Sequence, residues 1–289
     1  MKVAIIGGTG KMGRWFASFL LKEGKEVILI GRSQARLEEA RKQLDVPVST
    51  SIEAVKPADV ILISVPVDHF EEVVKKLSPN THSGQVILDI TSVKTLPVEA
   101  MHQHIKRGQV LGTHPLFGPG ARSIANQNFV LTPTNKDEAT LADKIKGYLE
   151  ARGARVQLMT PQEHDDMMAV ILGLAHYIAI VSADSLINFD RLREMEAVSG
   201  ITYKVLLTLV ESVLSEDPEL YASLQMNLPK LPEIQERFQK TAKTWADLVK
   251  DKDRQEFIRR MKALRSKLEA NNPDFGKAYD NVYKIAEGL

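Results

Sequence analysis

Gly8-Thr9-Gly10-Lys11-Met12-Gly13 follows a short apolar run (residues 3–6) and leads into a helix-forming stretch (residues 14–22). Glycines at this spacing, between a strand and a helix, suit a pyrophosphate. Gly8 would permit the tight turn, Gly10 would let the backbone approach the phosphates, and Gly13 would let the helix lie close on the strand. The first amides of the helix then face the anion with the positive end of its dipole. The ligand expected here is a dinucleotide. Thr9, Lys11 and Met12 within the turn belong to the expected contact set, as do Val65 and Pro66 at the end of a later apolar run.

A second set is Gly112-Thr113-His114-Pro115-Leu116-Phe117-Gly118-Pro119-Gly120. An apolar run (residues 110–113) delivers a histidine to the carboxyl end of a strand, where an open α/β sheet gathers its ligand-contacting groups. Imidazole is the side chain best suited to proton transfer near neutral pH. Taken alone, a histidine before proline at a strand end more often only stabilises its loop.

The end of the second strand separates NAD from NADP. An acidic residue there would bind the ribose hydroxyls and repel a 2′-phosphate. The chain has Ile30-Gly31-Arg32-Ser33 instead, with Arg36 one helical turn on. Arg32 suits a bidentate pairing with phosphate, Ser33 a donated hydrogen bond, and Arg36 adds positive charge. NADP is the expected cofactor, with NAD as the alternative. The plainer reading of both arginines is a pair of solvated surface cations.

These residues need a scaffold, and the pattern supplies one. Runs at residues 27–30, 60–65, 86–90, 110–113, 128–132 and 155–158 read as strands, separated by amphipathic stretches such as 33–43, 70–76 and 136–152. The alternation predicts an α/β fold with a doubly wound, Rossmann-type parallel sheet. Beyond Thr160-Pro161 the patterns are all helical: 167–187, 194–214, 218–226, 232–250, 255–271 and a last helix from Asp274. The expected domains are 1–160, binding the dinucleotide, and 161–289, an all-α domain for substrate binding and dimerisation. The 167–187 helix is apolar around much of its circumference, which predicts burial in a bundle or at a homodimer interface.

Composition narrows the class. With 289 residues, 44% hydrophobic and 26% charged, the chain is an ordinary globular one, and a net charge of +1 gives no reason to invoke nucleic acid or an anionic membrane surface. The absence of cysteine excludes disulfides, thiolate metal sites and a cysteine nucleophile. The sequence enters its first strand with no signal-like segment, and no run is expected to reach membrane-spanning length, so a cytoplasmic protein is expected. His69, His82, His102 and His104 show no metal-ligand spacing beyond a bare H-x-H, the basic residues of 254–267 read as a solvated helix face, and Trp15 and Trp245 as core or interface residues.

GGTGKMG (7–13), DITSVK (89–94), HPLFGPG (114–120) and EHDDMMAVILGLAHYIA (163–179), in this order and spacing, resemble the prephenate dehydrogenase family of tyrosine biosynthesis. SGITYK (199–204) and EDPELYASLQMN (216–227) are similar to that family's bifunctional bacterial members. The resemblance implies oxidative decarboxylation of prephenate to 4-hydroxyphenylpyruvate without a metal. His114 matches the histidine that takes the proton of the ring hydroxyl. Ser92 matches a serine near that histidine and the nicotinamide, and Lys94 would place a cation beside a dianionic substrate or else be a surface lysine. His176 matches a substrate-contacting histidine or is a satisfied buried one; Gly173 stands where the family often has a further histidine. Lys204 stands where the family generally uses arginine for a substrate carboxylate, so Lys204, Arg122 or Lys94 is left to that role. His164 is read as stabilising its helix start and the domain junction, with Asp165 and Asp166 favourable near that N-terminus. Three further readings stay open: an arogenate dehydrogenase, a deazaflavin-dependent NADP reductase, and a non-catalytic NADP-binding sensor.

Overall fold

The computed structural model describes residues 1–287. They pack as two units, one formed by Met1–Met168 with Met226–Pro229, the other by Ala169–Gln225 with the residues from Lys230 on. The first runs β1 (Lys2–Ile6), α1 (Lys11–Lys22), β2 (Glu26–Ile30), α2 (Gln34–Leu44), β3 (Val48–Ser49), β4 (Val60–Ile63), α3 (Phe70–Leu77), β5 (Val86–Asp89), α4 (Thr95–His104), β6 (Gln109–Pro115), β7 (Asn128–Thr132), α5 (Lys136–Glu150), β8 (Arg155–Leu158) and α6 (Pro161–Met168).

The strands form one sheet in the order β3-β2-β1-β4-β5-β6-β7-β8. Its first six positions reproduce the doubly wound order, reversing beside β1, so ligand-binding loops gather at the carboxyl ends of these strands. Successive side chains of a strand point to opposite faces. Val3 and Ile5 accordingly join one core with Phe16, Leu29 and Leu37, while Ala4 and Ile6 join a second with Ile61, Ile63 and Phe70. Burial on both faces explains why β1 reads as an unbroken apolar run.

The sheet departs from an all-parallel expectation at one place. β7 pairs antiparallel with β6, bringing Val130 opposite His114 and Leu131 opposite Thr113. A parallel return needs a crossover, usually helical. The connection over residues 116–127 contains no helix, so the chain returns beside β6 in the opposite sense.

The second unit holds α7 (Ala175–Leu186), α8 (Leu192–Ala197), α9 (Ile201–Leu214), α10 (Pro218–Met226), α11 (Leu231–Lys250), α12 (Arg254–Asn271) and α13 (Ala278–Glu287), with a π-helical segment at Ala169–Leu174. The helix expected over 194–214 is interrupted at Val198-Ser199-Gly200, where glycine and serine disfavour continuation.

By packing, the first unit runs through Met168, with His164, Asp165 and Met168 buried. One expectation is corrected here. The helical stretch Pro161–Leu186 is 26 residues long with a window of mean hydropathy 1.7, so one helix does have the length and composition of a membrane span. Glu163, His164, Asp165 and Asp166 nevertheless crowd its first turns.

Candidate active site

The glycine turn is built by backbone. The amides of Gly7 and Gly8 both donate to the carbonyl of Ile30, at 2.8 and 3.2 Å, tying the ends of β1 and β2 together. The left-handed residue of the turn is Gly7 (φ +78°), one position before the one expected. A Cβ there would lie 2.0 Å from the Ser64 carbonyl oxygen, so both the conformation and the space demand glycine. Gly8 serves packing instead, since a Cβ on it would meet Leu29 at 2.8 Å. Gly13 has the expected role: a Cβ would meet the Gly7 carbonyl oxygen at 2.6 Å, so α1 lies against the turn itself.

The N-cap of α1 is Gly10, which has no side chain to cap the helix. Its positive end therefore remains available to a phosphate, which is the fit a dinucleotide requires. Arg14 Nε donates to the Thr9 carbonyl (3.1 Å) and its Nη1 to Glu39 (2.9 Å) and Gln43 (2.7 Å), fastening the turn to α2. Val65 lies just past β4 with its Cγ1 beside Gly7, and Pro66 is exposed one residue on. At the start of α2, Ser33 Oγ accepts from the Arg36 amide (3.4 Å), and Arg32 and Arg36 are exposed around this helix terminus. Two cations and a helix N-terminus are what a phosphate on the adenosine ribose would need.

His114 is the penultimate residue of β6, with only 4% of its surface exposed. Its Nδ1 lies 2.8 Å from Nε2 of His164, on α6, the two rings meeting edge to face. His164 Nδ1 is in turn 2.8 Å from Asp165 Oδ1. Asp165 also accepts the backbone amides of Lys94 (2.7 Å) and Thr95 (2.8 Å), at the first turn of α4. Burial, reinforced by His164 and by Lys94, holds the His114 imidazole well below its ordinary pKa, and so neutral near pH 7. Burial also lowers His164, against the pull of Asp165. Burial would raise Asp165, but its bonds to His164 and to the α4 amides outweigh that and keep it a carboxylate.

Lys94 is not the free cation expected. It is fully buried; its Nζ is bonded to Asp89 and donates to the Thr113 carbonyl (2.6 Å), one residue before His114. Asp89 further accepts Thr91 Oγ1 (2.6 Å) and the Thr113 amide (3.3 Å). Burial lowers the Lys94 ammonium from its ordinary value, with Asp89 opposing the shift. A lysine with every neighbour committed in this way braces the ends of β5 and β6 and cannot reach a substrate carboxylate. Ser92, half-buried in the same turn, makes no side-chain hydrogen bond to His114 among the described residues. Arg122 is exposed on the connection after His114. Trp15 of α1 pins that connection, donating to the Ala121 carbonyl (2.7 Å) and packing on Phe117.

In the second unit, the His176 ring of α7 packs edge-on against Tyr221 (4.9 Å), and its buried Nδ1 has no hydrogen-bond partner among the described residues. The buried hydroxyl of Tyr203, on α9, is likewise unpartnered among them, and Lys204 beside it is exposed. Unmet buried polar atoms call for a ligand or water.

Sequence reasoning assembled His114 with the glycine turn but missed His164 as its partner. The signal was present: a histidine and three carboxylates at the head of an otherwise apolar helix.

Comparison with known proteins adds an independent finding. Residues 16–158 match the family profile described as the prephenate dehydrogenase nucleotide-binding domain, and residues 160–263 that of the prephenate dehydrogenase dimerization domain. The chain is 35% identical over 267 residues to the probable arogenate/prephenate dehydrogenase of Methanocaldococcus jannaschii, covering 91% of this chain and 60% of that protein. It is 31% identical over 261 residues to the T-protein of Enterobacter agglomerans, covering 89% and 64%. The chain thus spans less than two thirds of the length of either relative. The crystal structure of prephenate dehydrogenase from Aquifex aeolicus with hydroxyphenyl propionate and NAD+ shares the fold, with a TM-score of 0.76 and 23% identity over 94% of this chain and 98% of that one.

Proposed function

Because the chain belongs to the prephenate dehydrogenase family, we propose that it oxidises and decarboxylates prephenate to 4-hydroxyphenylpyruvate with NADP+ as hydride acceptor. The family's members are NAD(P)-dependent oxidoreductases of tyrosine biosynthesis, and a cytoplasmic location goes with that reading. In the reaction the substrate gives up a hydride and CO2 and its ring becomes aromatic; the hydroxyl proton, taken by a base as the carbonyl forms, returns to the ring oxygen as CO2 leaves. The bound nicotinamide supplies the hydride acceptor.

What this chain supplies is a base and its setting. The observation that carries the reading is His114: a buried, neutral imidazole at the carboxyl end of β6, whose Nδ1 is engaged by His164 and whose Nε2 has no hydrogen bond among the described residues. A neutral imidazole accepts the hydroxyl proton as the carbonyl forms. Burial excludes water that would compete for that proton. The glycine turn holds the pyrophosphate, and the pinned 116–127 connection shapes the approach to His114. In the second unit, Lys204 is the candidate for a substrate carboxylate, as a point charge in place of arginine's planar fork. His176 and Tyr203 offer the unmet polar atoms.

The test is reduction of NADP+ and of NAD+, followed by absorbance, with prephenate and with arogenate in parallel. Turnover of prephenate with NADP+ is expected to be fastest. A preference for arogenate would move the substrate assignment, and tight NADP+ binding without turnover of either would favour the sensor. The cofactor assignment rests on Arg32, Ser33 and Arg36. Arg32→Asp is expected to weaken NADP+ by about 10-fold or more, the size of one lost charge-assisted contact, with NAD+ spared; an unchanged ratio would return Arg32 to the surface. Finally, Val170, Ile171, Val181, Ile187 and Phe189 leave large apolar side chains exposed in the second unit, and a homodimer would bury them. Light scattering that finds a monomer at micromolar concentration would count against it.

A further inference from the structure

We propose that His164 and Asp165 are positioning residues: together they fix the proton of His114 on Nδ1 and so leave Nε2 as a bare acceptor aimed at the substrate hydroxyl. The inference deepens the dehydrogenase reading and rests on it for its kinetic readout.

Each step follows from the one before. Asp165 receives two backbone amides, Lys94 on Oδ1 and Thr95 on Oδ2, and also faces His164 Nδ1 from Oδ1. An ionised carboxylate only accepts. His164 must therefore carry its proton on Nδ1 and donate it. A neutral histidine protonated on one nitrogen has only a lone pair on the other. His164 Nε2 is thus an acceptor, and the group facing it at 2.8 Å, His114 Nδ1, must be the donor. That leaves the lone pair of His114 on Nε2. The three side chains are buried, at 4% exposure for His114, 0% for His164 and 2% for Asp165, so water has little access to supply a different set of partners.

The same chain serves the charged state. When the substrate proton bonds to Nε2, the imidazole gains a positive charge in a buried place beside the Lys94 ammonium. Moving the Nδ1 proton toward His164 carries that charge to the side facing Asp165. One proton enters, one shifts, and none is lost. The charged and titratable groups around His114 are Lys94 and Asp89, paired with each other at the ends of β5 and α4, and His164 with Asp165 on α6.

Asp165 also has a purely structural task, since it caps α4, so replacing it risks misfolding. His164 separates the two roles: His164→Leu keeps the cap and removes only the link, and His164→Gln returns an acceptor without a second imidazole. The experiment uses the full chain with NADP+ bound and 15N-labelled histidine, with long-range proton–nitrogen NMR to read which nitrogen of His114 bears hydrogen; His114→Asn identifies its signals. The steady-state kinetics of the same variants are measured across pH with prephenate and arogenate.

The wild type is expected to show hydrogen on Nδ1 and none on Nε2. His164→Leu should lower kcat by roughly 10²–10⁴, as a wrong tautomer does elsewhere, with NADP+ affinity and KM little changed. His164→Gln should recover about 10-fold of that, the worth of a restored buried hydrogen bond. Hydrogen on Nε2 in the wild type, or full kcat in His164→Leu, would overturn the proposal. If the wild type turns over neither substrate, the dehydrogenase reading fails separately, and the NMR result alone decides whether His164 sets the tautomer.

Discussion

Replacing His114 with asparagine is expected to lower kcat by about 10²–10⁴, the usual contribution of a positioned general base, and to leave NADP+ affinity intact. Asparagine is smaller than histidine and still polar toward His164, so the carboxyl end of β6 should keep its course. What disappears is a buried, neutral imidazole whose Nδ1 is engaged by His164. Stopped-flow reduction of NADP+ measures the loss, and cofactor fluorescence measures the binding. An asparagine variant with near-normal kcat would remove His114 from the chemistry.

The pH dependence follows from the direction of the shift. His114 acts as the neutral form, and burial, His164 and Lys94 hold its pKa well below the ordinary imidazole value. Activity should therefore persist below pH 6.5 and fall only at more acid pH, where an exposed histidine would already have titrated. Stability shares the sign. A folded pKa depressed below the unfolded one makes the unfolded chain bind the extra proton first. The contribution of His114 to stability is complete above about pH 6.5 and is lost progressively as pH falls toward the lowered value. His164 shifts in the same direction. In thermal melts from pH 7.5 to 5, His114→Asn should flatten the acid-side decline.

The second large effect belongs to Lys94. Lys94→Met should destabilise the first unit by about 3–5 kcal/mol, because it strands the buried Asp89 carboxylate without its cation. At about 2–4 °C per kcal/mol for a unit of this size, the fall in Tm is on the order of 10 °C. Adding Asp89→Asn should recover part of it, since the amide oxygen still accepts from Thr91. The two roles of Lys94 separate cleanly in this measurement. A lysine that binds substrate would raise KM with Tm unchanged, whereas a brace lowers Tm. A melt within a degree or two of wild type would show that the ion pair holds nothing together.

Much of the scaffold was legible from periodicity. Runs buried on both faces are continuous and apolar, and the glycine spacing marks where β1 gives way to α1. The misreadings have local causes. Gly7 and Gly8 are adjacent, and only the course of the chain past Ser64 decides which one must turn left-handed. β7 is spelled like any parallel strand; its direction depends on a connection too irregular to form a helix. Lys94 read as a free cation for the substrate, or else a surface lysine, because its partner, Asp89, lies across a tight turn, and no sequence period links the two. His164 and Asp165 were read as helix-start residues, as the helix dipole suggests. Their orientation toward β6 depends on how α6 docks, which one strand of sequence does not encode.

The antiparallel β7 has a consequence for how such an enzyme can diversify. Without it β6 would border solvent; with it, the strand bearing His114 has a ladder on each side, to β5 and to β7. His114 itself is paired with Val130 of β7, while the β5 ladder ends at Gly112, so moving the imidazole would mean breaking the pairing to β7. On the proposed function, adaptation to a different substrate would then fall to the irregular connection over residues 116–127. A laboratory library aimed at new substrates would leave β5, β6 and β7 alone and vary that connection.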